Sequence, residues 1–350
     1  MIDVQQNICL APFTTLRVGG NARFFTSAAT ETDVVEALGW ARERSLPVFV
    51  LGGGSNLLIS DSGFPGLVIR IAISGIDQHA EGSRRIFSAG AGVEWDELVA
   101  LSIAENCAGL ECLSGIPGIV GGTPIQNVGA YGQEVASTIV RVHAVEASTG
   151  THVEFDNAAC AFRYRQSRFN GPDLGRFILT RVDYALTPSG APSIAYADLK
   201  RHFAASASTP PLSEVREAVL SIRRAKGMVV DESDPDSRSA GSFFKNPVVT
   251  RAILDRISDC SSVPVPHYDA GADHVKLSAA WLIEQSGIAR GFALGPVAVS
   301  RKHTLALVNL GHATAADVLK LKSFVQRRVQ ERFGVELHPE PVMLGFETSN

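Results

Sequence analysis

The stretch LSGIPGIVGGTPIQNVGAYG, residues 113–132, constrains the fold more than any other part of the chain. It places six glycines and two prolines among small and apolar residues, with Gln126 and Asn127 as neutral amides. Glycine loses the most backbone freedom on folding and proline lacks an N–H donor, so a regular helix or central strand is excluded here. The segment is also too apolar for a solvated linker. It suits a loop laid along a flat, largely apolar ligand, with its amides reading the ligand's edge. The competing reading is an irregular core segment.

A second glycine run, LGGGSNLLI (51–59), follows a buried strand. Successive N–H groups in such a turn form an anion-binding nest, and a diphosphate is the usual occupant. Taken alone, a tight strand-to-strand turn explains the run equally well. The preceding residues read as a β-α-β opening: a strand over 22–28, an amphipathic helix over 31–45, and a buried strand over 47–54. Val34, Val35, Leu38 and Ala41 share one face of that helix. This is not a Rossmann unit, because the glycines follow the second strand and G-x-G-x-x-G is absent there.

The remaining pattern is α+β. Short strands recur from about 66 to 187, with one helix over 95–106. Residues 209–227 read as a helix with Ser213 as N-cap and Gly227 as stop. The polar, proline-containing stretch 230–241 reads as an inter-domain loop. Helices over 247–257 and 277–287 and a strand-like stretch over 295–311 follow. A long helix over 314–334 is capped by Thr314 and Asp317 and striped by Val318, Leu321, Val325 and Val329. The pattern closes on a strand over 335–345.

With 350 residues, 45% hydrophobic and 19% charged, the chain is long enough for two or three cores. A net charge of −4 gives no sign of nucleic acid or an anionic membrane as partner. Five cysteines at irregular spacing, without C-x-x-C, and nine scattered histidines argue against disulfides and metal sites. No basic-then-apolar leader and no run of about 18–20 apolar residues is present. A cytoplasmic, soluble protein is expected, with no metal and no membrane or nucleic-acid partner.

GGGSNLL, SGIPGIVGGTPIQNVGAYG, FRYRQS, AYADL, AGSFFKNP and HPEP occur in this order over nearly the whole chain. In these motifs the chain resembles the UDP-N-acetylenolpyruvoylglucosamine reductase (MurB) family, the subclass with a mobile-tyrosine loop. The resemblance implies a two-lobed FAD-binding domain of the vanillyl-alcohol-oxidase (PCMH) type and a smaller α+β C-terminal substrate domain. It places lobe 1 at 1–75, lobe 2 at 76–227 and the substrate domain at 228–334. The terminal strand 335–350 would return to lobe 1 or to the active site. The implied reaction is NADPH-dependent reduction of UDP-N-acetylglucosamine enolpyruvate in peptidoglycan synthesis, with FAD bound non-covalently. A monomer is expected.

The resemblance also implies site residues. Three arginines, Arg163, Arg165 and Arg168, stand in or beside FRYRQS, and the residues alone do not choose among them; the family motif picks Arg165 to hold the substrate carboxylate. Glu340 of HPEP supports the enolate in a protonated form or orients the donor. Ser242 of AGSFFKNP donates its proton to the enolate carbon, helped by Phe243 and Phe244 excluding water and by Lys245. Flavin contacts fall on Gly52, Gly53, Gly54, Ser55, Asn56, Pro117, Gly121, Gly122, Gln126, Asn127, Ala130 and Arg223. Substrate contacts fall on Tyr131, Tyr196, Lys226, Asn246, Tyr268 and His303. Val342 departs from relatives that carry arginine at that place, which puts any salt link there in doubt. The rival expectation is another oxidoreductase of the same flavin superfamily, in which histidine or cysteine tethers the flavin. Pro47–Ser60 holds neither residue, although Cys112 stands near the second loop.

Overall fold

A computed structural model describes residues 2–206 and 208–346. The chain divides into two compact units, each assembled from separate pieces of sequence. The first takes Met1–Ile8, Ala22–Gly54 and Phe64–Val229; the second takes Cys9–Asn21, Ser55–Gly63 and Val230–Asn350. Residues 9–21 and 55–63 fall within the stretch 1–75 expected to form lobe 1. They go with the second unit because Leu16, Val18 and Leu58 lie in its core.

In the first unit, strand Asn21–Ala28 pairs in parallel with Phe64–Ile71, which pairs in parallel with Val48–Leu51. Helix Glu31–Glu43 makes the crossover expected of parallel strands. Its start is fixed by a capping box: the Thr30 hydroxyl accepts from the Asp33 N–H, and the Asp33 carboxylate accepts from the Thr30 N–H. Val34, Ala37, Leu38 and Ala41 are buried and Val35 packs beside them. A larger antiparallel sheet runs Ile76–Glu81, Arg84–Gly90, Phe177–Pro188, Ile139–Glu146 and His152–Asp156. Helix Trp95–Ala104 packs on it through Trp95, Leu98 and Val99. Helix Leu212–Ala225 starts directly after Pro211 with no side-chain cap. Ser213 therefore lies inside that helix and does not cap it, because the proline already fixes the turn of entry.

In the second unit, helix Ala315–Phe333 carries the expected Thr314–Asp317 capping box and ends on Gly334 in the left-handed region. Its first N–H groups, on Ala315 and Ala316, donate to the Asp61 carboxylate at 2.7 and 2.9 Å. Val318, Leu321, Val325 and Val329 are buried in the unit's core. The stretch 247–257 is not one helix. Val248–Thr250 is a strand, paired with His274–Leu277, and the helix is Arg251–Asp259. Two valines and a threonine after a proline favour the extended state. The closing strand shrinks to Val342–Leu344, paired in parallel with Leu57–Ile59, since Pro339 and Pro341 remove donors ahead of it. The stretch 230–241 is not a solvated linker either, because Asp236, Ser237, Ser239 and Ala240 are buried. Residues 347–350, part of the terminal segment expected to return to the fold, lie outside the described residues.

Candidate active site

In the first unit the two glycine loops interlock. A Cβ placed on Gly53 would lie 2.5 Å from the Gly118 Cα, a distance at which atoms must move. The Gly53 requirement is thus first a loop-against-loop contact. The second loop is stapled along its backbone. Gly118 O accepts from Trp95 N–H, and Val120 and Gly121 donate to Val93 and Ala91. Gly121 is a packing glycine, since its Cβ would meet the Ala91 Cβ at 2.7 Å, whereas Gly122 faces open space. The turn at Gly115 is held by the Asp96 carboxylate, which accepts the Gly115 N–H at 2.6 Å and both Arg216 Nη atoms at 2.7 Å. Burial works against the Asp96 charge, but Arg216 and Gly115 outweigh it and hold the carboxyl below its usual range.

Not every amide reads outward. Asn127 is buried, its Nδ2 donates to Glu134 and to the Arg163 carbonyl, and its Oδ1 accepts from Ala136 N–H. Its side chain therefore serves the fold.

The structure separates the three arginines that the sequence left open. Arg168 is structural: it donates to Asp173 at 2.7 Å and to the Ala159 carbonyl, and it lies over Phe155. The Arg163 backbone bridges to Gln166 and its carbonyl accepts from Asn127. Arg165 lines a recess of about 600 Å³ with Tyr164, Gly129, Ala130 and Tyr131, and its Nη1 donates to the Gly129 carbonyl at 3.0 Å. Arg165, Tyr131 and Asn127 have φ of 54°, 49° and 45°. Arg165 and Tyr131, both lining the recess, lie with the nearby Asn127 in the left-handed region, which marks a backbone held by its surroundings.

Tyr131 links this recess to the end of helix Leu212–Ala225. The Tyr196 ring stands edge-on to it at 5.5 Å, and the Lys226 ammonium lies 5.9 Å from its centroid. Lys226 pairs with Asp198 at 3.0 Å. Burial raises the Tyr131 phenol above its ordinary pKa, against the pull of Arg223 and Lys226. Arg223 donates from Nη2 to the Met228 carbonyl and bonds Tyr131. Its Nε is buried without an acceptor, 3.6 Å from where a Gly115 Cβ would stand.

In the second unit, Ser242 and Glu340 come together through backbone. Glu340 N–H donates to the Phe243 carbonyl at 2.9 Å and Lys245 N–H to the His338 carbonyl at 2.9 Å, with Phe244 bridged to Pro339. Ser242 stands one residue outside this ladder and is half-buried. Asn56 bonds both sides of Glu340's neighbourhood: its Nδ2 donates to the Glu340 carbonyl at 3.4 Å, and its carbonyl accepts from Val342 N–H. Phe243 and Phe244 belong to the unit's core, so they anchor the serine segment rather than wall a pocket. Lys245 is exposed. Asn246 Oδ1 accepts from Ala279 N–H at a helix start, leaving Nδ2 to donate elsewhere. Tyr268 is exposed on strand His267–Asp269 under Lys276, and His303 lies in the tight turn 300–306. Val342 is exposed at the first position of the closing strand.

The first unit fits a flavin on two observations: a pair of glycine loops at backbone contact, and a buried guanidinium N–H that lacks an acceptor beside them. Residues 22–156 match the family model described as FAD binding domain. Residues 234–344 match that of the UDP-N-acetylenolpyruvoylglucosamine reductase C-terminal domain. A protein named UDP-N-acetylenolpyruvoylglucosamine reductase from Streptomyces avermitilis is 44% identical, over 97% of this chain and 94% of its own length. The chain belongs to the UDP-N-acetylenolpyruvoylglucosamine reductase family. A second relative of that name, from Thermobifida fusca, is 43% identical over 97% of this chain and 98% of its own. The crystal structure of the enzyme (MurB) from Thermus caldophilus superposes with a TM-score of 0.68 at 27% identity, covering 98% and 100% of the two chains. The chain is an FAD-dependent oxidoreductase that uses NADPH to reduce the enolpyruvyl UDP-sugar of peptidoglycan synthesis. This sets aside the rival oxidoreductase reading. The thiol it would need is also unsuited, since burial and the neighbouring Glu111 push Cys112 up to about 12.

Asp96 and Glu111 escaped the sequence reading. Glu111 is buried and accepts N–H bonds from Gly109, Gln133 and Ser193, which pins the chain three residues before Tyr196. An acid in a helix's first turn, as Asp96 is, reads as a dipole complement. No local signal says that it reaches a glycine 19 residues away.

Proposed function

We propose that Arg165, Ser242 and Glu340 are the catalytic groups of this reduction. The observation that carries the reading is the backbone ladder setting Glu340 opposite Phe243, beside Ser242, although Ser242 and Glu340 are 98 positions apart in the chain. Arg165 holds the substrate carboxylate with two parallel N–H donors and stabilises the charge that spreads onto it. Ser242 Oγ–H gives its proton to the carbon bearing that carboxylate, and the segment's two buried phenylalanines fix where the hydroxyl stands. Glu340 orients the donor or supports the enolate. Bound FAD would supply the hydride chemistry that links oxidation of NADPH to reduction of the substrate's terminal vinyl carbon. Gly52, Gly53, Gly54, Ser55 and Asn56 of the first loop would hold the cofactor. Pro117, Gly121, Gly122, Gln126, Asn127 and Ala130 of the second loop and the buried Arg223 would join them, with Asn127 and Gly121 acting through loop shape.

Lys226, Asn246 and Tyr268 are assigned to the substrate's diphosphate, Tyr131 to the place where flavin and substrate meet, Tyr196 to closure over the substrate, and His303 to a polar contact. We assign the enzyme to the cytoplasm as a monomer without nucleic-acid or membrane partners. None of the helices among the described residues is long and apolar enough to cross a membrane.

The test is Ser242→Ala, which removes the acid and little volume. Stopped-flow measurement of the flavin-loaded variant should show bleaching by NADPH at the wild-type rate. Reoxidation by the enolpyruvyl substrate should slow by at least about 10²–10⁴. Equal slowing of both halves reduces Ser242 to a shaping residue, and no slowing moves the proton source elsewhere.

A further inference from the structure

The stretch 230–238 contains an acid that the reaction does not use. Asp236 is 2% exposed. Its Oδ1 accepts the Arg301 N–H at 2.9 Å, and its Oδ2 accepts Arg301 Nε at 3.0 Å and Nη2 at 2.9 Å. The Ser300 hydroxyl also bonds it. Two residues earlier, Asp234 caps the short helix Pro235–Ser237 and pairs with Lys302 at 2.7 Å. Two acids two residues apart thus grip two adjacent cations at the mouth of the turn 300–306.

Both strands of that grip lead to Ser242. Along the acid side, the Arg238 carbonyl accepts from Asn309 N–H at 3.0 Å and Ser239 bridges to Val308. Along the cation side, Ser300 N–H donates to Ala306, Ala306 N–H to His303, and the Leu305 carbonyl accepts from Phe243 N–H at 2.7 Å. The segment 239–243 is therefore closed at both ends on 305–308, with Ser242 between the closures. Asp236 and Arg301 lock the base of this ring, and the same lock sets the turn that carries His303.

The ion pair is a poor device for stability alone. Arg301's side chain is 65% exposed, so its charge is well solvated without a partner, while burying the carboxylate carries a desolvation cost. What the pair does supply is direction. Three N–H groups of one residue converge on two oxygens, which fixes how the turn leaves residue 301.

We propose that Asp236 is a positioning residue for the proton-transfer step, holding the 300–306 turn so that the segment 239–243 presents the Ser242 hydroxyl to the substrate. The proposal rests on the reading of Ser242 as proton donor. Misplacement of a reacting group by about 1 Å costs roughly 10²-fold, so the expected effect is large without any chemistry at Asp236 itself.

The experiment compares flavin-loaded Asp236→Asn, Arg301→Lys and Ser242→Ala in the two half-reactions. In Asp236→Asn an amide NH₂ faces the Arg301 donors. Bleaching by NADPH should stay within about twofold of wild type, and reoxidation by the enolpyruvyl substrate should slow about 10–100-fold, with a larger solvent deuterium effect. Arg301→Lys keeps the charge but loses the fork, and should slow the same half-reaction to a smaller degree. Equal slowing of both halves by Asp236→Asn overturns the proposal. So does wild-type reoxidation in Asp236→Asn where Ser242→Ala is slow. Wild-type reoxidation in Ser242→Ala removes the serine reading and the proposal with it. Should Asp236→Asn not fold, Arg301→Lys decides alone, and reoxidation at the wild-type rate there rejects the proposal.

Discussion

The two units secure their candidate groups by different means. In the first, Arg165, Tyr131 and Asn127 sit on left-handed backbone, and their side chains tie them to their surroundings: Asn127 to Glu134, Tyr131 to Arg223, Arg165 to the Gly129 carbonyl. In the second, Ser242 and Glu340 hang from main-chain ladders to Leu305, His338 and Phe243. A ladder of backbone bonds tolerates a change of side chain, whereas strained loops pinned by side chains do not. Substitutions of the pinning side chains in the first unit, Glu134, Arg223 or Asp96, should therefore disturb geometry together with chemistry, and those at Arg165, Ser242 or Glu340 should disturb chemistry alone.

The sharpest probe of this contrast is Arg165→Met. Turnover of the sugar nucleotide should fall by about 10²–10³ while flavin content and its bleaching by NADPH persist. Substrate-dependent NADPH oxidation near the wild-type rate would remove Arg165 as the enolate's partner. A second probe compares two glycines. Gly53→Ala forces the Gly118 backbone aside and should cost about 1–3 kcal/mol with a matching loss of bound flavin. Gly122→Ala points into open space and should leave the melting temperature unchanged. Equal melting temperatures for both variants would show that the loops do not interlock.

The smallest expected effect lies away from the site, on the broad sheet. His143 Nε2 pairs with Asp183 at 3.1 Å and Nδ1 with Glu154 at 3.2 Å, so both nitrogens carry protons when the pairs form. The Asp183 hydrogen bond, against burial, raises the His143 pKa, and the same bond helps hold Asp183 low. A raised folded-state pKa means stabilisation that is complete below the ordinary histidine range and lost as pH rises through the raised value. His143→Gln should thus lower stability by about 0.5–1 kcal/mol in mildly acidic buffer, with the gap closing in alkaline buffer. A gap that widens as pH rises contradicts the assignment.

How much of this was legible in the sequence depends on whether the signal was local. The Thr314–Asp317 box and the stripe from Val318 to Val329 specify their helix within one stretch of chain, and the structure has them as read. The helix at Leu212 began without Ser213 because two prolines fix the turn before it. The β-branched run Val248–Thr250 overrode a helical pattern by pairing with residues 274–276. Motifs marked both glycine loops, yet nothing in them distinguishes Gly53, which meets Gly118, from Gly122, which meets nothing. Arg165 could not be told from Arg168 by spacing; Asp173, Ala159 and Phe155 make that distinction in space. Asp236 looked like a linker acid because its partner lies 65 residues away.

The interleaving of the two units bears on how the chain is made. Asn56 and Glu340, which hold one another at the closing strand, are 284 residues apart. At roughly 5–20 residues per second, about 14–57 s of synthesis separates them. Leu57, Leu58 and Ile59 must wait through that interval without the strand they pair with, because that partner, Val342–Leu344, is made only at its end. Cutting the chain at residue 230 would not free a self-sufficient C-terminal fragment, since Leu16, Val18, Leu58 and the Asp61 cap would stay behind.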